Sequence, residues 1–479
     1  MIRKFINRKE ELEFLERTFR EDGLKVVILY GRRRVGKTEL INQFCRDKPH
    51  IYFLADKRGT LVNAREFAVK SARYFNDVVP EVRNFDDIFG YILKRAGSRK
   101  IIVAIDEFSY LVEKDDSIPS VFQKIVDEHL KGTNVYLILS GSSISMMEKG
   151  VLSYESPLYG RRTGQWKITP LRFRDSWLFL PEYSIEEFIE AFSVVGNIPA
   201  YLIQFNGSVD IYRNMEDRIL GRGNPLYEEV EFILREELRE PSVYMSIIEA
   251  IANGMTRVTE IANRCYMDAK DIPKYLRVLQ RLHLVQRVIP VTEVKPKTKK
   301  AVYRISDNFF RFWFRFVYPN RGDVEGGEVD SVLSKIKAEF DSYVGRVFEQ
   351  VCEEFLWELN RKAGLPFHFN KIGNWWGHYR EHGMRKEIEI DLVALNEDTK
   401  EILFTECKWS NKRVGIKTYH ELREKSKLVN WHNDERKEYF ALFSKTGFTP
   451  ELRKEDVLLF DLKDFKIFKE NFKATKFLR

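Results

Sequence analysis

The chain has 479 residues, of which 44% are hydrophobic and 32% are charged. The length predicts about two to four domains, and the composition excludes a disordered chain, a collagen-like repeat and a small disulfide scaffold. The net charge of +8 permits a nucleic-acid partner without requiring one. The longest apolar runs are too short for a transmembrane helix of about 20 residues, and the N-terminus has no signal-peptide pattern. The 4 cysteines lie far apart in the sequence, which predicts reduced thiols in a cytoplasmic protein.

Short apolar strands alternate with helical segments in the first part of the chain. The strands are predicted at 25–30, 50–54, 100–105 and 134–140. Near-continuous apolar strands separated by helices indicate a parallel sheet covered on both faces, which is the α/β class. The predicted domains are a sheet domain at 1–170, a helical lid at 171–240, a three-helix module with a hairpin at 241–320 and a C-terminal α/β domain at 329–479, with a linker loop at 320–328.

A phosphate-binding loop is predicted where the first strand runs into a helix. Residues 31–38 have two glycines spaced by four residues and followed by Lys and Thr, the pattern that binds nucleoside triphosphates. The glycines let backbone amides face the phosphates, Lys37 is expected to reach the β- and γ-phosphates, and Thr38 to bind Mg²⁺. The predicted ATP-binding residues of this P-loop are Gly31, Arg32, Arg33, Arg34, Val35, Gly36, Lys37, Thr38 and Glu39.

Two carboxylates follow the third predicted strand, and hydroxyl groups follow the fourth. Asp106 is expected to hold the water shell of Mg²⁺, and Glu107 to orient or deprotonate the water that attacks the γ-phosphate. The alternative is a solvated Asp-Glu pair, which is common at strand ends. Ser140 ends the fourth strand at the same edge of the sheet and either senses the γ-phosphate or caps a helix. The predicted cofactors of this domain are ATP and Mg²⁺.

This part of the chain resembles the archaeal ATPase family in the STAND branch of the AAA+ proteins. The resemblance covers roughly residues 1–235 and rests on the P-loop and on the motifs Phe5-Ile-Asn-Arg8, Ile105-Asp-Glu-Phe, Ser140-Gly-Ser-Ser, Pro157-Leu-Tyr-Gly-Arg161-Arg162 and Gly196-Asn-Ile-Pro199. It implies an AAA+-type sheet with a helical lid and an N-terminal Arg/Glu segment near the adenine. It also implies that Arg161 and Arg162 contact the γ-phosphate, in cis or in trans, although an exposed Arg pair is more often a solvated surface.

A winged helix-turn-helix is predicted after the lid. Short amphipathic helices are predicted at 242–253, 258–264 and 268–282, followed by a basic hairpin at 284–305. This order is typical of a module that places its third helix in the major groove of DNA and its wing on the phosphates. The alternative is a domain that only clamps the ATPase core. The predicted DNA-binding residues are Lys274, Arg277, Arg281, Lys295, Lys297, Lys299 and Lys300.

A hairpin of two charged strands in the last domain carries candidate metal ligands. A register that pairs Leu395 with Ile402 places Asp391 opposite Glu406 and Glu389 opposite Lys408. Directly opposed carboxylates are close enough to share a divalent cation, and the lysine would act on the phosphate or on the attacking water. The alternative is an ordinary amphipathic hairpin with a charged outer face.

This hairpin resembles the PD-(D/E)xK nuclease superfamily, in the variant that follows archaeal STAND ATPases as a domain of unknown function. Asp391, Glu406 and Lys408 match the Asp…Glu-x-Lys pattern, and Glu349, on an amphipathic helix upstream, matches the helix carboxylate. The resemblance implies a restriction-endonuclease-like fold. It also implies a second Mg²⁺ or a Mn²⁺ held by these three carboxylates.

These features predict an ATP-binding and hydrolysing switch that couples nucleotide state to DNA binding and to metal-dependent DNA cleavage. The alternative is a regulatory STAND ATPase whose C-terminal domain binds DNA or protein without cleaving. The predicted partners are DNA, together with a second copy of the chain or another protein, and no membrane. The predicted catalytic residues are Glu107, Arg161, Arg162, Asp391, Glu406 and Lys408, and the predicted metal ligands are Thr38, Asp106, Glu349, Asp391 and Glu406.

Overall fold

The computed structural model describes residues 5–238, 240–295, 298–382 and 384–470. The chain separates into two compact units, one containing residues up to 171 together with 198–200, and the other containing the remainder. Within the described ranges, the search for a helix that is both long enough and apolar enough to cross a lipid bilayer finds none.

The first unit is built on a parallel sheet. Its strands are β1 (Lys25–Tyr30), β2 (His50–Leu54), β3 (Ile101–Asp106), β4 (Val135–Gly141) and β5 (Gly164–Lys167). They lie in the order β2-β3-β4-β1-β5, and all neighbours run parallel. The predicted parallel sheet is therefore confirmed. β5 was not expected, because its residues Gly-Gln-Trp-Lys form no apolar run. The strand lies at the sheet edge and is only half-buried.

Helices surround this sheet, and their apolar sides form a core rich in Phe and Ile. The three central strands β1, β3 and β4 are buried almost throughout, as expected for parallel strands covered on both faces. The helical segments of this part of the chain are Lys9–Arg20, Lys37–Cys45, Thr60–Phe75, Phe85–Ala96, Phe108–Lys114, Ile118–Lys124, Ile125–Leu130, Ile144–Met147, Glu148–Leu152 and Tyr159–Arg161.

The second unit begins with the helices of the predicted lid and continues into the three helices and hairpin of the predicted winged helix-turn-helix. The lid region contains Phe173–Ser176, Trp177–Phe179, Ile185–Val195, Ile211–Arg218 and Glu229–Glu237, together with Pro199–Leu202, whose first two residues belong to the first unit. The next module has helices Pro241–Ala252, Val258–Arg264 and Ile272–Arg281, and then β6 (Val285–Val288) and β7 (Val302–Ile305). β6 and β7 pair antiparallel, so the three helices and the hairpin lie where the sequence predicts them.

The predicted linker loop at 320–328 is wrong over much of its length. Helical segments occupy Asn308–Phe312, Trp313–Val317, Tyr318–Asn320 and Arg321–Glu325, and a long helix then runs over Val329–Arg361. Ion pairs hold the short helix in place: Arg321 pairs with Glu231, and Asp323 pairs with Lys335 at 2.8 Å. The glycines and charges of this segment are typical of a loop, and the ion-pair partners that stabilise the helix could not be recognised because they are distant in sequence.

The C-terminal part of this unit is a mixed sheet packed on the long helix. Its strands are β8 (Lys371–Glu381), β9 (Met384–Asn396), β10 (Glu401–Lys408), β11 (Lys437–Ser444) and β12 (Leu458–Asp461). Helical segments lie between β10 and β11 (Ile416–Ser426), between β11 and β12 (Leu452–Lys454) and after β12 (Asp464–Lys466 and Ile467–Glu470). β8, β9 and β10 pair antiparallel, whereas β10, β11 and β12 pair parallel. Cys352 of the long helix and Cys407 of β10 are both buried, and burial raises the pKa of each thiol.

Candidate functional site

The phosphate-binding loop connects β1 to the helix Lys37–Cys45. Gly36 precedes the helix with a φ of 94°, a conformation that glycine adopts without strain. At Gly31, a Cβ atom would lie 2.2 Å from the carbonyl oxygen of Ile168, so any side chain there would force one backbone segment to move. The first glycine of the motif is therefore required for space, and the second for backbone conformation.

Lys37 is buried within this loop. Its Nζ donates to the carbonyl oxygens of Gly31 at 2.9 Å and of Arg32 at 3.0 Å. Arg8 donates to the carbonyl oxygen of Val35 at 2.8 Å, so the N-terminal Arg/Glu segment packs on the same loop. The remaining predicted residues differ in exposure: Val35 is buried, Arg32 and Arg33 are half-buried, and Arg34, Thr38 and Glu39 are exposed.

Asp106 ends β3 beside this loop and is fully buried. Its Oδ2 accepts hydrogen bonds from Thr38 Oγ1 at 2.6 Å and from the Tyr52 hydroxyl at 2.9 Å. Burial, followed by the negative charge of Asp106, raises the pKa of Tyr52, which therefore remains a donor. The structure thus brings Thr38 and Asp106, the two residues predicted to hold Mg²⁺, into direct contact. Tyr52 was missed, because a tyrosine inside an apolar strand resembles an ordinary core residue.

Glu107 has a left-handed backbone with a φ of 55°, at the turn that starts the helix Phe108–Lys114. Its Oε2 accepts hydrogen bonds from Ser142 Oγ at 2.6 Å, from Ser142 N at 3.2 Å and from Ser109 Oγ at 3.3 Å. A non-glycine residue in this region carries strain, which is common at functional sites. The hydrogen bonds hold the carboxylate in place through Oε2 alone.

Ser140 lies in β4, directly opposite Leu29 of β1, and β4 is also the neighbour of β3. Its side chain is fully buried, and its hydroxyl has no hydrogen-bond partner within the ranges that the structure describes. A buried hydroxyl without a partner costs about 1–3 kcal/mol. Ser140 is an interior strand residue and caps no helix, because the helix after β4 has Ser143 as its N-cap.

Arg161 and Arg162 both have partners within their own unit. Arg161 forms an ion pair with Asp127 at 2.8 Å and donates to the carbonyl oxygen of Pro157. Arg162 donates to the carbonyl oxygen of Leu152, and its guanidinium lies 4.3 Å from the ring centroid of Tyr159. None of these contacts reaches the phosphate-binding loop, so a role at the γ-phosphate would require Arg161 to leave Asp127.

The predicted DNA-binding residues lie on two exposed surfaces of the winged helix. Lys274, Arg277 and Arg281 are exposed on the helix Ile272–Arg281. Lys295, Lys299 and Lys300 are exposed in the loop between β6 and β7, whereas Lys297 lies outside the described residues. Lys274 pairs with Asp271 at 3.1 Å and Lys300 with Glu293 at 3.0 Å.

The backbone of the same loop packs against the C-terminal sheet. Val291 N donates to the carbonyl oxygen of Asn374 at 3.0 Å, and Trp376 Nε1 donates to the carbonyl oxygen of Lys300 at 3.0 Å. The hairpin of the winged helix thus contacts β8 through main-chain groups, while its lysine side chains remain at the surface. These contacts are made with the C-terminal sheet and not with the ATPase core, so the clamp and the DNA-binding alternatives both stay predictions.

The predicted register of the carboxylate hairpin is confirmed where β9 and β10 pair. Leu395 pairs with Ile402, and the pairing extends to Leu392 and Thr405. Asp391, the next residue, turns its Oδ2 towards the Cys407 N–H at 2.8 Å. The expected opposition of Glu389 and Lys408 is wrong. The ladder between β9 and β10 ends at Leu392 and Thr405, and Glu389 forms an ion pair with Arg304 at 3.0 Å.

Two lysines hold the buried carboxylate of Glu406. Lys408 donates to its Oε2 and Lys425 to its Oε1, each at 2.5 Å, and Lys408 Nζ also lies 3.9 Å from Asp391 Oδ2. Burial alone would raise the pKa of Glu406, but the two ammonium groups outweigh it and lower the pKa. Burial and the charge of Glu406 raise the pKa of Asp391 to about 7. Lys425 was missed because it belongs to an amphipathic helix far along the chain.

Glu349 does not join Asp391 and Glu406 as a third metal ligand. Asn374 Nδ2 donates to Glu349 Oε2 at 3.2 Å and to the carbonyl oxygen of Asp391 at 2.5 Å, and so bridges the long helix and β9. Burial, followed by the charge of Asp391, raises the pKa of Glu349 to about 8. In the described part of the chain, no group of three or more His, Cys, Asp or Glu residues is arranged to hold a metal. The predicted three-carboxylate site is therefore corrected to an adjacent pair, Asp391 and Glu406.

A P-loop, an acidic strand end and a hydroxyl on adjacent parallel strands define a P-loop nucleoside triphosphatase. Residues 5–205 match the model of a family described as an ATPase domain predominantly from Archaea, and residues 313–423 match a family described as archaeal and bacterial proteins of unknown function. The chain is 38% identical over 467 residues to the uncharacterized protein MJECL04 of Methanocaldococcus jannaschii, covering 96% of this chain and 100% of that protein. The chain therefore belongs to this family of archaeal ATPases with a C-terminal domain of unknown function.

Solved structures show partial similarity. The Walker-type ATPase PABY2304 of Pyrococcus abyssi is 20% identical with a TM-score of 0.47, over 65% of this chain and 96% of that one. The ORC2 protein of Aeropyrum pernix is 13% identical with a TM-score of 0.45, over 70% of this chain and 96% of that one.

Proposed function

We propose that this ATPase is a switch in which ATP binding and hydrolysis control a DNA-directed C-terminal half. The observation that carries the nucleotide part is the set of groups at one edge of the first sheet. There, the Ser140 hydroxyl is buried with no partner in the described ranges, beside the contact between Thr38 and Asp106. A ligand oxygen at this edge would satisfy that hydroxyl. The residues present therefore fit Mg²⁺ and the terminal phosphate of ATP.

Each group in this set has a role in hydrolysis. Bound Mg²⁺ would neutralise charge on the phosphates, with Thr38 and Asp106 holding it. Lys37 exchanges its bonds to the carbonyl oxygens of the loop for phosphate oxygens. Glu107 would accept a proton from water at Oε1, while Ser142 holds Oε2 in place.

The test of the nucleotide assignment is Lys37→Ala. We expect this variant to lose ATP hydrolysis and to remain folded, because the Lys37 ammonium group donates to neutral carbonyl oxygens of its own loop. Circular dichroism checks the fold, and phosphate release measures turnover. Hydrolysis at the wild-type rate in Lys37→Ala would contradict the assignment.

The DNA-directed part of the proposal is supported by the exposed basic residues of the winged helix. Lys274, Arg277 and Arg281 lie along one exposed helix, and further lysines lie on the neighbouring loop. Side chains of this kind contact phosphates and position a helix in the major groove. Binding of duplex DNA at two or more salt concentrations measures this activity, and a protein that binds no duplex at low salt would leave the regulatory, protein-binding alternative.

DNA cleavage by the C-terminal domain is a second candidate function. The observation that favours it is the convergence of Asp391, Glu406 and Lys408, with Lys408 Nζ within 3.9 Å of both carboxylates. Two carboxylates side by side provide the oxygen donors that Mg²⁺ and Mn²⁺ prefer, so the pair fits a divalent cation. Such a cation would activate water and stabilise the leaving group. Lys408 would then be displaced from Glu406 towards the phosphate.

Thermal unfolding with and without Mn²⁺ tests this second function. The nucleotide site also binds divalent cations, so the measurement uses the Lys37→Ala background without ATP. We expect Mn²⁺ to raise the unfolding temperature, and Asp391→Asn to abolish that rise together with any nicking of plasmid DNA. An equal Mn²⁺ response with Asp391 or Asn at this position would show that the pair binds no cation.

A further inference from the structure

Tyr52 reaches the acidic end of β3 from the neighbouring strand β2. In the parallel register of these strands, Tyr52 lies opposite Ala104, and Asp106 is the next residue of β3 on the same face. The Tyr52 hydroxyl spans this offset and donates to Asp106 Oδ2 at 2.9 Å. β2 lies on the opposite side of β3 from β1, whose loop leads to Thr38. Two hydroxyl groups from distant parts of the chain therefore meet at one oxygen of Asp106.

Most of the acceptor positions of the Asp106 carboxylate are filled by these and one further donor. An ionised carboxylate has about four lone-pair positions, two on each oxygen. Both positions on Oδ2 are filled, by the hydroxyls of Thr38 at 2.6 Å and of Tyr52 at 2.9 Å. On Oδ1, one position is filled by the Glu107 N–H at 3.0 Å. In the described ranges, the position without a donor is the second one on Oδ1, so the carboxylate presents that oxygen to a ligand.

The orientation of the carboxylate depends on these donors, because the χ2 torsion of an aspartate has a broad energy minimum. Thr38 can keep its bond to Asp106 while it binds a cation, since a hydroxyl group has one donor hydrogen and two acceptor lone pairs. Tyr52 differs from Thr38 and Glu107 in that no step of the proposed hydrolysis uses it. Its contact with the site is the bond to Asp106 Oδ2, which holds that oxygen from the side of β2.

We propose that Tyr52 is a positioning residue of the nucleotide site, which acts through Asp106 on the binding of Mg²⁺ with ATP. Groups that orient a metal-binding carboxylate by hydrogen bonds contribute to metal affinity, and their loss typically weakens it by about 10–100-fold. Tyr52 keeps Oδ2 of Asp106 engaged and thereby directs Oδ1 to the cation and its water shell. This inference rests on the proposed function, because it requires that Thr38 and Asp106 hold Mg²⁺.

Calorimetry with a non-hydrolysable ATP analogue tests the inference on the full chain without turnover. The ratio of the affinity with Mg²⁺ to the affinity in EDTA measures how strongly the site holds the cation. We expect Tyr52→Phe to lower this ratio about tenfold and to leave the affinity in EDTA unchanged, because the lost bond is to Asp106. The matched control is Tyr136→Phe. The Tyr136 hydroxyl is buried in the same unit and is hydrogen-bonded to Thr18 Oγ1 at 2.6 Å, so its loss should leave the ratio unchanged.

A double-mutant cycle then shows whether Tyr52 acts through Asp106. Asp106→Asn should itself lower the ratio, and Tyr52→Phe should lower it little further in that background, since the group that it orients is gone. Equal ratios in Tyr52→Phe, Tyr136→Phe and wild type would overturn the inference, and so would fully additive effects of the two changes. A wild type that binds the analogue no better with Mg²⁺ than in EDTA would refute the proposed metal site as well, so the wild-type measurement separates the two failures.

Discussion

Ser140→Ala is expected to stabilise the chain without nucleotide and to weaken its binding of ATP. In the nucleotide-free chain, Ser140→Ala removes a buried group that lacks a hydrogen bond in the described ranges. The relief is about 1–3 kcal/mol, and the small void left by the oxygen offsets part of it, so we expect a net stabilisation of about 1 kcal/mol. For a unit of this size, that corresponds to an unfolding temperature higher by about 2–4 °C. With ATP bound, the same change removes a hydrogen bond to a charged phosphate and weakens affinity by about 10–100-fold.

Thermal unfolding with and without Mg²⁺ and a non-hydrolysable ATP analogue measures both effects. The control is Ser156→Ala, because Ser156 is a buried serine of the same unit whose Oγ donates to the carbonyl oxygen of Gly150 at 2.6 Å. It should destabilise the nucleotide-free chain and leave the response to the analogue unchanged. If Ser140→Ala destabilises the chain as Ser156→Ala does, or responds to the analogue like wild type, then Ser140 is a structural residue with no role at the nucleotide.

The remaining predictions concern turnover, DNA and pH. Glu107→Gln should bind ATP but hydrolyse it slowly, since Thr38 and Asp106 remain, and a loss of ATP binding by calorimetry would make Glu107 structural. Replacing Lys295 and Lys299 with Ala should weaken DNA binding evenly across sequences. It should also flatten the slope of log affinity against log salt by about one unit per lost phosphate contact, and an unaltered slope would exclude these contacts. Burial raises the pKa of Glu353 to about 7, so its ionisation destabilises the fold as pH rises from about 4.5 to 7. Solvent reaches part of the Glu353 side chain and reduces the cost of its charge, so we expect Glu353→Gln to stabilise the chain by only about 1–2 kcal/mol at pH 8 and not at pH 4. An equal gain at both pH values would exclude titration of Glu353 as the cause.

The nucleotide site could be predicted well from sequence because its residues follow strands whose pattern is unambiguous. Buried parallel strands fix their carboxyl ends at one edge of the sheet, so Thr38, Asp106 and Ser140 had to lie near one another once the strands were recognised. What the strand pattern cannot specify is which donor engages each oxygen. The hydrogen bond from Ser142 to Glu107 depends on the turn after β4, and the bond from Tyr52 to Asp106 depends on strand order.

The C-terminal site was predicted less completely because its geometry depends on strands that diverge. The alternation of side chains and the hairpin turn predict the register of β9 and β10 only where the two strands are hydrogen-bonded to each other. This pairing ends at Leu392 and Thr405. Beyond that point, Asp391 turns to the Cys407 N–H and Glu389 is engaged by Arg304 of another module. Lys425 and Asn374 lie on elements whose distance from the hairpin in space cannot be inferred from their distance in sequence.

The two candidate sites share a physical feature that affects how their ligands bind. In each, the charged group expected to meet the ligand is already satisfied by the protein: Lys37 by loop carbonyl oxygens, and Glu406 by Lys408 and Lys425. A buried charge without such partners would destabilise the fold, so the same contacts that keep the ligand-free chain stable must be exchanged on binding. Measured affinities therefore report the difference between two sets of contacts. The exchange costs less at the P-loop, where neutral carbonyl oxygens are released, than at Glu406, where a cation must compete with two ammonium groups.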